Sequence, residues 1–235
     1  MEIPASFRTF IAQKRNIVLT NHWNPDGDAV GSTLALGGAL MQAGHRVSIV
    51  MPNSYPHFLK FLRTDVEVII HESQAERALE LIQAADLIGT LDYNQIDRCG
   101  ETLGQLISQS NAKIFMLDHH REPADYADFT FSYPNVASTC ELVHEFLSSL
   151  GLIAQLDADM ANALYTGIMT DTGSFRFSSV RPETHEITAD LLRKGAEPAR
   201  IHEAIFDQDR PSRLRLLGRC LEHMEIREDL RSVFM

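Results

Sequence analysis

Cysteine is scarce and scattered. Cys99, Cys140 and Cys220 are the three in 235 residues. Their odd number and the lack of a CxxC pair exclude a disulfide scaffold and a zinc ribbon. Long apolar runs are missing too. Stretches such as LIGTL and AKIFML fall far short of the roughly 20 residues that cross a bilayer. The opening MEIPASFRTFIAQKRN has no basic start followed by an apolar stretch, so no export signal is visible. A reduced, cytoplasmic protein without a membrane partner is expected. Basic charge is the third shortage, with 21 Lys and Arg against 32 Asp and Glu and a net charge of -11. Such a surface repels a long phosphate backbone, so no long duplex nucleic acid is expected as a partner. Small phosphate esters stay open, because divalent cations in an acidic site reverse its sign locally.

What is present is an alternation of short apolar runs and helical stretches. Strands are predicted at 16–20, 46–51, 66–70, 86–93, 112–118 and 128–133. Helices are predicted at 28–43, 73–84, 138–150, 157–169, 183–194, 198–206 and 211–223, with a further helical segment between 93 and 112. That pattern implies an α/β fold, a mostly parallel sheet with helices on both faces. Ligands of such sheets bind beyond the carboxyl ends of the strands. His22, Asp26 and Asp28 follow the first strand, Asp92 ends the LIGTL strand, and Asp118, His119 and His120 end KIFML. The domain expectation is a catalytic domain over 1–185 and a helical linker over 186–223. Residues 224–235 would be a strand-like start of a truncated further domain.

Each chemical segment also has an ordinary reading. PDGD (25–28) is a common turn, and alone that is its more frequent meaning. Its two carboxylates could equally face one cation, with Asp28 near the start of a helix. An EF-hand loop from Asp26 fails, because Val30 and Gly37 occupy ligand positions. A P-loop fails for want of a Gly-Lys pair. His22 lies four residues before Asp26. Asp92 could simply cap the next helix. Yet carboxylates gathered at one edge repel unless a cation lies between them. LDHH (117–120) is costly after an apolar strand unless paired or metal-bound. Strand alternation puts Asp118 and His120 on one side and His119 on the other, and Asp118 could orient an imidazole. Asp171, in TDTGSFRF, could be only a polar helix end. Arg121 could touch phosphate or be a solvated surface residue. His45, His57, His71, His144, His185, His202 and His223 read as surface or core. The run RPSRLRLLGR (210–219) reads as a solvated basic helix face or an interdomain contact. Oxygen and imidazole donors without thiolate suit manganese, magnesium or iron. Two such ions can clamp a phosphate and activate water.

HxxPDGD from His22 to Asp28, the strand-end Asp92, the triplet Asp118-His119-His120, and Asp171 in TDTGSF stand in one order. In that order they resemble the DHH phosphoesterase superfamily, its DHH/DHHA1 branch, over roughly residues 15–185. Phe175 and RPETHEI add to the likeness. The resemblance implies two divalent ions, manganese first, with magnesium or iron as alternatives. One would be held by His22, Asp26 and Asp92, the other by Asp28, Asp92, His119 and Asp171, with Asp92 bridging. His120 would meet the substrate phosphate, Asp118 would support the histidines, and Arg121 is a weaker substrate contact. Within the superfamily the chain is most similar to the oligoribonucleases that also remove the 3′-phosphate of 3′-phosphoadenosine 5′-phosphate. Short oligoribonucleotides and 3′-phosphonucleotides are therefore the implied substrates, through a two-metal mechanism. Pyrophosphate, polyphosphate or cyclic-dinucleotide hydrolysis is the alternative, and a silent metal- or nucleotide-binding module is the non-enzyme reading. That branch's second domain carries a Gly-Gly-Gly-His segment, which is absent here, so truncation is expected. A homodimer is a further expectation.

Overall fold

The apolar runs form one sheet of six strands: β1 Asn16–Thr20, β2 Arg46–Met51, β3 Glu67–Ile70, β4 Leu87–Leu91, β5 Lys113–Asp118 and β6 Phe129–Ser132. Their order is β3-β2-β1-β4-β5-β6. Every neighbouring pair is parallel. Ile17 of β1 lies between Val47 of β2 and Leu87 of β4. The winding therefore reverses between β1 and β4, the switch point where open sheets of this kind leave a crevice. All five residues of β4 are buried, as a central strand covered on both faces requires. The computed structural model describes residues 1–207, 211–227, 229 and 231–234. They fall into two compact units, Met1–Pro198 and Ala199–Met235.

Helices cover both faces of the sheet in the first unit. On one face, α3 (Ala75–Gln83) and α4 (Glu101–Ser108) bury Ala78, Ile82, Leu103 and Ile107 against Val18, Val50, Ile69 and Ile88. The other face carries α1 (Ala5–Ile11), α2 (Gly27–Gln42) and α5 (Thr139–Leu150). There Phe7 of α1 meets the rings of Phe115, Phe129, Phe131 and Phe146 edge-on. Helix α6 (Ala158–Asp171) packs over α2 and α5, and α7 (Pro182–Arg193) packs over α6. The approach of α2 to α6 is very close. A Cβ at Gly31 would strike the Ala163 carbonyl, and one at Gly167 would strike Cys140 Sγ and Asp28. Asp28 is thus enclosed by three helices. Glu141 of α5, fully buried, accepts from Thr184 Oγ1 at 2.8 Å and Arg181 Nη2 at 3.2 Å, which ties α5 to the start of α7.

The limits of the anticipated strands and helices lie within two residues of the sequence reading. Helix α1 is a correction, because the sequence reading assigned no element before residue 16.

The second unit holds most of α8 (Pro198–Phe206), then α9 (Pro211–Glu222) and an antiparallel pair, β7 (Glu225–Arg227) and β8 (Ser232–Phe234). The strand-like ending is therefore two short strands. Helix α9 buries no residue, and Leu214, Leu216, Leu217 and Leu221 are exposed. Of the basic run 210–219, Arg210 lies outside the described residues, as do Glu228, Leu230 and Met235 of the expected final segment. Among the described residues no helix is long and apolar enough to cross a membrane.

Candidate metal centre

The loop after β1 delivers the first donors. His22 Nδ1 lies 2.8 Å from the Trp23 carbonyl. A carbonyl only accepts, so the ring proton sits on Nδ1 and Nε2 is left to face the carboxylates. It lies 3.8 Å from Asp26 Oδ1 and 3.5 Å from Asp92 Oδ2. Asp26 is the N-cap of α2, its Oδ1 accepting from Asp28 N at 3.0 Å and Ala29 N at 3.1 Å. Asp28 turns instead to another helix. Its carboxylate accepts from Thr139 N at 2.6 Å and Cys140 N at 2.8 Å, at the start of α5. There the positive end of a helix compensates part of its charge.

Asp92 stands one residue past β4 with φ of 64°, a left-handed conformation that Asp tolerates better than most residues. Its N–H still donates to Leu117 O at 3.1 Å, and its Oδ1 accepts from Thr139 Oγ1 at 3.0 Å. The short 3-10 helix that follows has Gln95, not Asp92, as its N-cap. The capping explanation for Asp92 therefore fails.

Beyond Asp118 the chain leaves strand geometry, and both histidines turn toward Asp92 instead of to opposite sides. His119 Nδ1 lies 3.3 Å from the Val136 carbonyl. Its Nε2 is 3.3 Å from Asp171 Oδ2, 3.5 Å from Asp92 Oδ1 and 3.8 Å from Asp28 Oδ2. His120 is held by buried Asp118, which accepts from its backbone N at 3.0 Å and from Nδ1 at 2.8 Å. Asp118 thus orients His120 alone, and the Val136 carbonyl orients His119. His120 Nδ1 is 3.8 Å from Asp92 Oδ1. Arg121 is exposed, and its carbonyl accepts from Asn94 Nδ2 at 2.6 Å. His144 lies elsewhere, against Asp190 at 2.9 Å, and His185 stacks on Phe175.

The charges do not balance among the protein groups. Burial, then Asp92, Asp171 and Asp26, push the Asp28 carboxyl well above the usual range. Burial, Asp92 and Asp26 raise Asp171 to about 8. Burial works against a charged His22, but Asp26 and Asp92 outweigh it and hold the imidazolium up to about 10. Burial would raise Asp26, yet the bonds from His22 and Ala29 prevail and lower it. His22, Asp28 and Asp171 are thus biased toward their protonated forms by their surroundings.

Donor atoms of His22, Asp26 and Asp92 lie within 4.8 Å of one another, as do those of Asp28, His119 and Asp171. An overlapping trio is Asp92, His119 and His120. Two histidines presenting Nε2 while backbone carbonyls fix Nδ1 is an arrangement suited to ligation. The oxygen and imidazole donors fit divalent cations. The sequence reading missed the supports: Thr139, Cys140 and the carbonyls of Trp23 and Val136. One signal was legible, Ser138 followed three residues later by Glu141, since Ser138 caps α5 by accepting from Glu141 N at 3.2 Å.

The family described as DHH family, N-terminal domain, matches residues 16–168. The bifunctional oligoribonuclease and PAP phosphatase NrnA of Thermus thermophilus is 31% identical over 205 residues, 87% of this chain and 58% of that protein. The NrnA of Bacillus subtilis is 24% identical over 81% of this chain and 57% of its own length. The chain therefore spans a little over half of these relatives. An exopolyphosphatase-related protein from Bacteroides fragilis superposes with a TM-score of 0.93 at 33% identity, over 97% of this chain and 67% of the other.

Proposed function

The chain belongs to the DHH family, and from that premise we propose that it is a metal-dependent phosphoesterase acting on short oligoribonucleotides and 3′-phosphonucleotides. The observation that carries this reading is the pair of donor groups joined at Asp92, each with a histidine whose Nε2 faces carboxylates. His22, Asp26 and Asp92 would hold one ion, and Asp28, Asp92, His119 and Asp171 the other. Manganese is the favoured ion and magnesium or iron the alternatives. Two bound cations would supply positive charge against the phosphate and a means of activating water.

The remaining work falls to the chain's own residues. Asp118 accepts two bonds from His120 and fixes its ring, which leaves Nε2 to meet a phosphate oxygen or hand a proton to the leaving group. Arg121, exposed beside it, would add a charged donor to the phosphate. Thr139 holds Asp92, and the start of α5 holds Asp28. The substrate class rests on similarity to the two NrnA proteins, whose names describe an oligoribonuclease and PAP phosphatase. The test is hydrolysis of a diribonucleotide and of a 3′-phosphonucleotide by protein loaded with manganese, with pyrophosphate in parallel. Release of nucleotide products, abolished by a chelator and restored by metal, is expected. Turnover of pyrophosphate alone would move the reading to phosphoanhydride hydrolysis, and no turnover of any of the three would sink it.

A further inference from the structure

The sequence holds a single tryptophan, Trp23, directly after the donor His22. The residue is 44% exposed, a cost for the largest apolar side chain unless something covers it in use. The backbone that carries the ring is held on both sides. Trp23 N–H donates to Arg98 O at 2.7 Å. Its carbonyl is the group that holds His22 Nδ1. The ring lies over Gly100, where φ is +89° and an added Cβ would come within 3.1 Å of Trp23 Cε3. Glycine thus serves both the backbone angle and the seat of the indole. On the following residue, Asn24 is clipped to Asn53 by two bonds of 2.8 Å. Arg98 Nη1 reaches Asn94 Oδ1 at 3.4 Å, and Asn94 in turn holds the Arg121 carbonyl. An exposed indole on an anchored backbone and two arginines therefore share one connected rim beside the donor cluster.

We infer that Trp23 is the stacking surface for the nucleobase of the substrate, and so a residue that makes the site prefer nucleotides over bare phosphate compounds. The inference rests on the phosphoesterase reading and extends it to a specificity determinant. The face of an indole offers nothing to pyrophosphate, but it is a stacking surface for any base without regard to sequence. Because the backbone of Trp23 is anchored before binding, ordering of the main chain adds no cost when a base stacks on the ring. The backbone carbonyl of the same residue orients a metal donor, so the base and the phosphate would be placed by one short segment.

The lone tryptophan makes a direct test available that does not depend on turnover. With magnesium present, the protein is titrated with adenosine 5′-monophosphate and, separately, with ribose 5-phosphate while indole emission is followed. Saturable quenching by the nucleotide and none by the sugar phosphate is expected. Equal responses, or no response to either, would overturn the inference. Turnover gives the second arm. The ratio of kcat/KM for a diribonucleotide to that for its abasic analogue should fall about tenfold or more in Trp23→Ala, mainly through KM, and be largely kept in Trp23→Phe. A ratio unchanged in Trp23→Ala would also overturn it. The two readings fail separately. Base-dependent quenching without any hydrolysis removes the phosphoesterase and keeps the stacking site. Hydrolysis with no dependence on the base does the reverse.

Discussion

Asp26 and Asp28 are two residues apart and live in opposite surroundings. The Asp26 side chain is 58% exposed and that of Asp28 fully buried. Asp26 caps its own helix and has His22 as a counter-ion, and these outweigh its partial desolvation and lower its carboxyl. Asp28 is inserted among α2, α5 and α6, accepts from two peptide N–H groups with His119 Nε2 3.8 Å away, and is raised by burial and three other carboxylates. The outer half of the centre largely neutralises itself. The inner half gathers the carboxylates of Asp28, Asp92 and Asp171 around the single imidazole of His119, so on the proposed reading it gains most from a metal.

The largest expected effect tests what joins the halves. Asp92→Ala should lower kcat by ~10³-fold, the scale of losing one pre-organised electrostatic group, while circular dichroism stays unchanged. Activity near that of the wild type would show that the halves work independently. The next effect separates them. Manganese at 100 times its Kd should stabilise the protein by about 2.7 kcal/mol for one ion. That gain, read by thermal unfolding, should survive Asp26→Asn and be lost in Asp28→Asn. Equal losses would break the contrast between an outer and an inner half. The smallest effect probes the support of the inner half. Burial raises Glu141 on α5, although Thr184 and Arg181 pull it down. Its folded value lies above the ordinary one, so its contribution is full below the usual glutamate range and is lost as pH rises through the raised value. Unfolding titrations should show stability declining across that window, and Glu141→Gln should abolish the decline. A variant with the wild-type slope would detach Glu141 from the stability of α5.

Local pattern made most of the fold legible. β-branched runs and helical periodicity set the six strands and the helices after residue 27, because each was long enough to repeat its apolar period. Helix α1 escaped because seven residues carry only Phe7 and Ile11 as buried anchors, and the four phenylalanine partners of Phe7 are more than a hundred residues away. The candidate donors that the fold brings together were legible as residue types, at strand ends and, for Asp171, at the end of α6. Their supports were not. The bond from Thr139 N to Asp28 joins positions 111 residues apart, and no local spacing encodes it. The alternation argument for LDHH failed because it holds only inside a strand, and β5 ends at Asp118.

The left-handed backbone at Asp92 has a consequence for how this centre can be lost. Among ordinary residues Asn adopts that conformation about as readily as Asp. The exchange of Asp for Asn needs a single nucleotide change. It keeps the turn, the ladder bond to Leu117 and the shape of the side chain, and removes only the shared negative charge. On the proposed reading, a lineage that ceased to need the reaction could therefore discard it in one step with its architecture intact. Silent descendants of such a chain should be recognisable by an asparagine at this position in an otherwise unaltered scaffold.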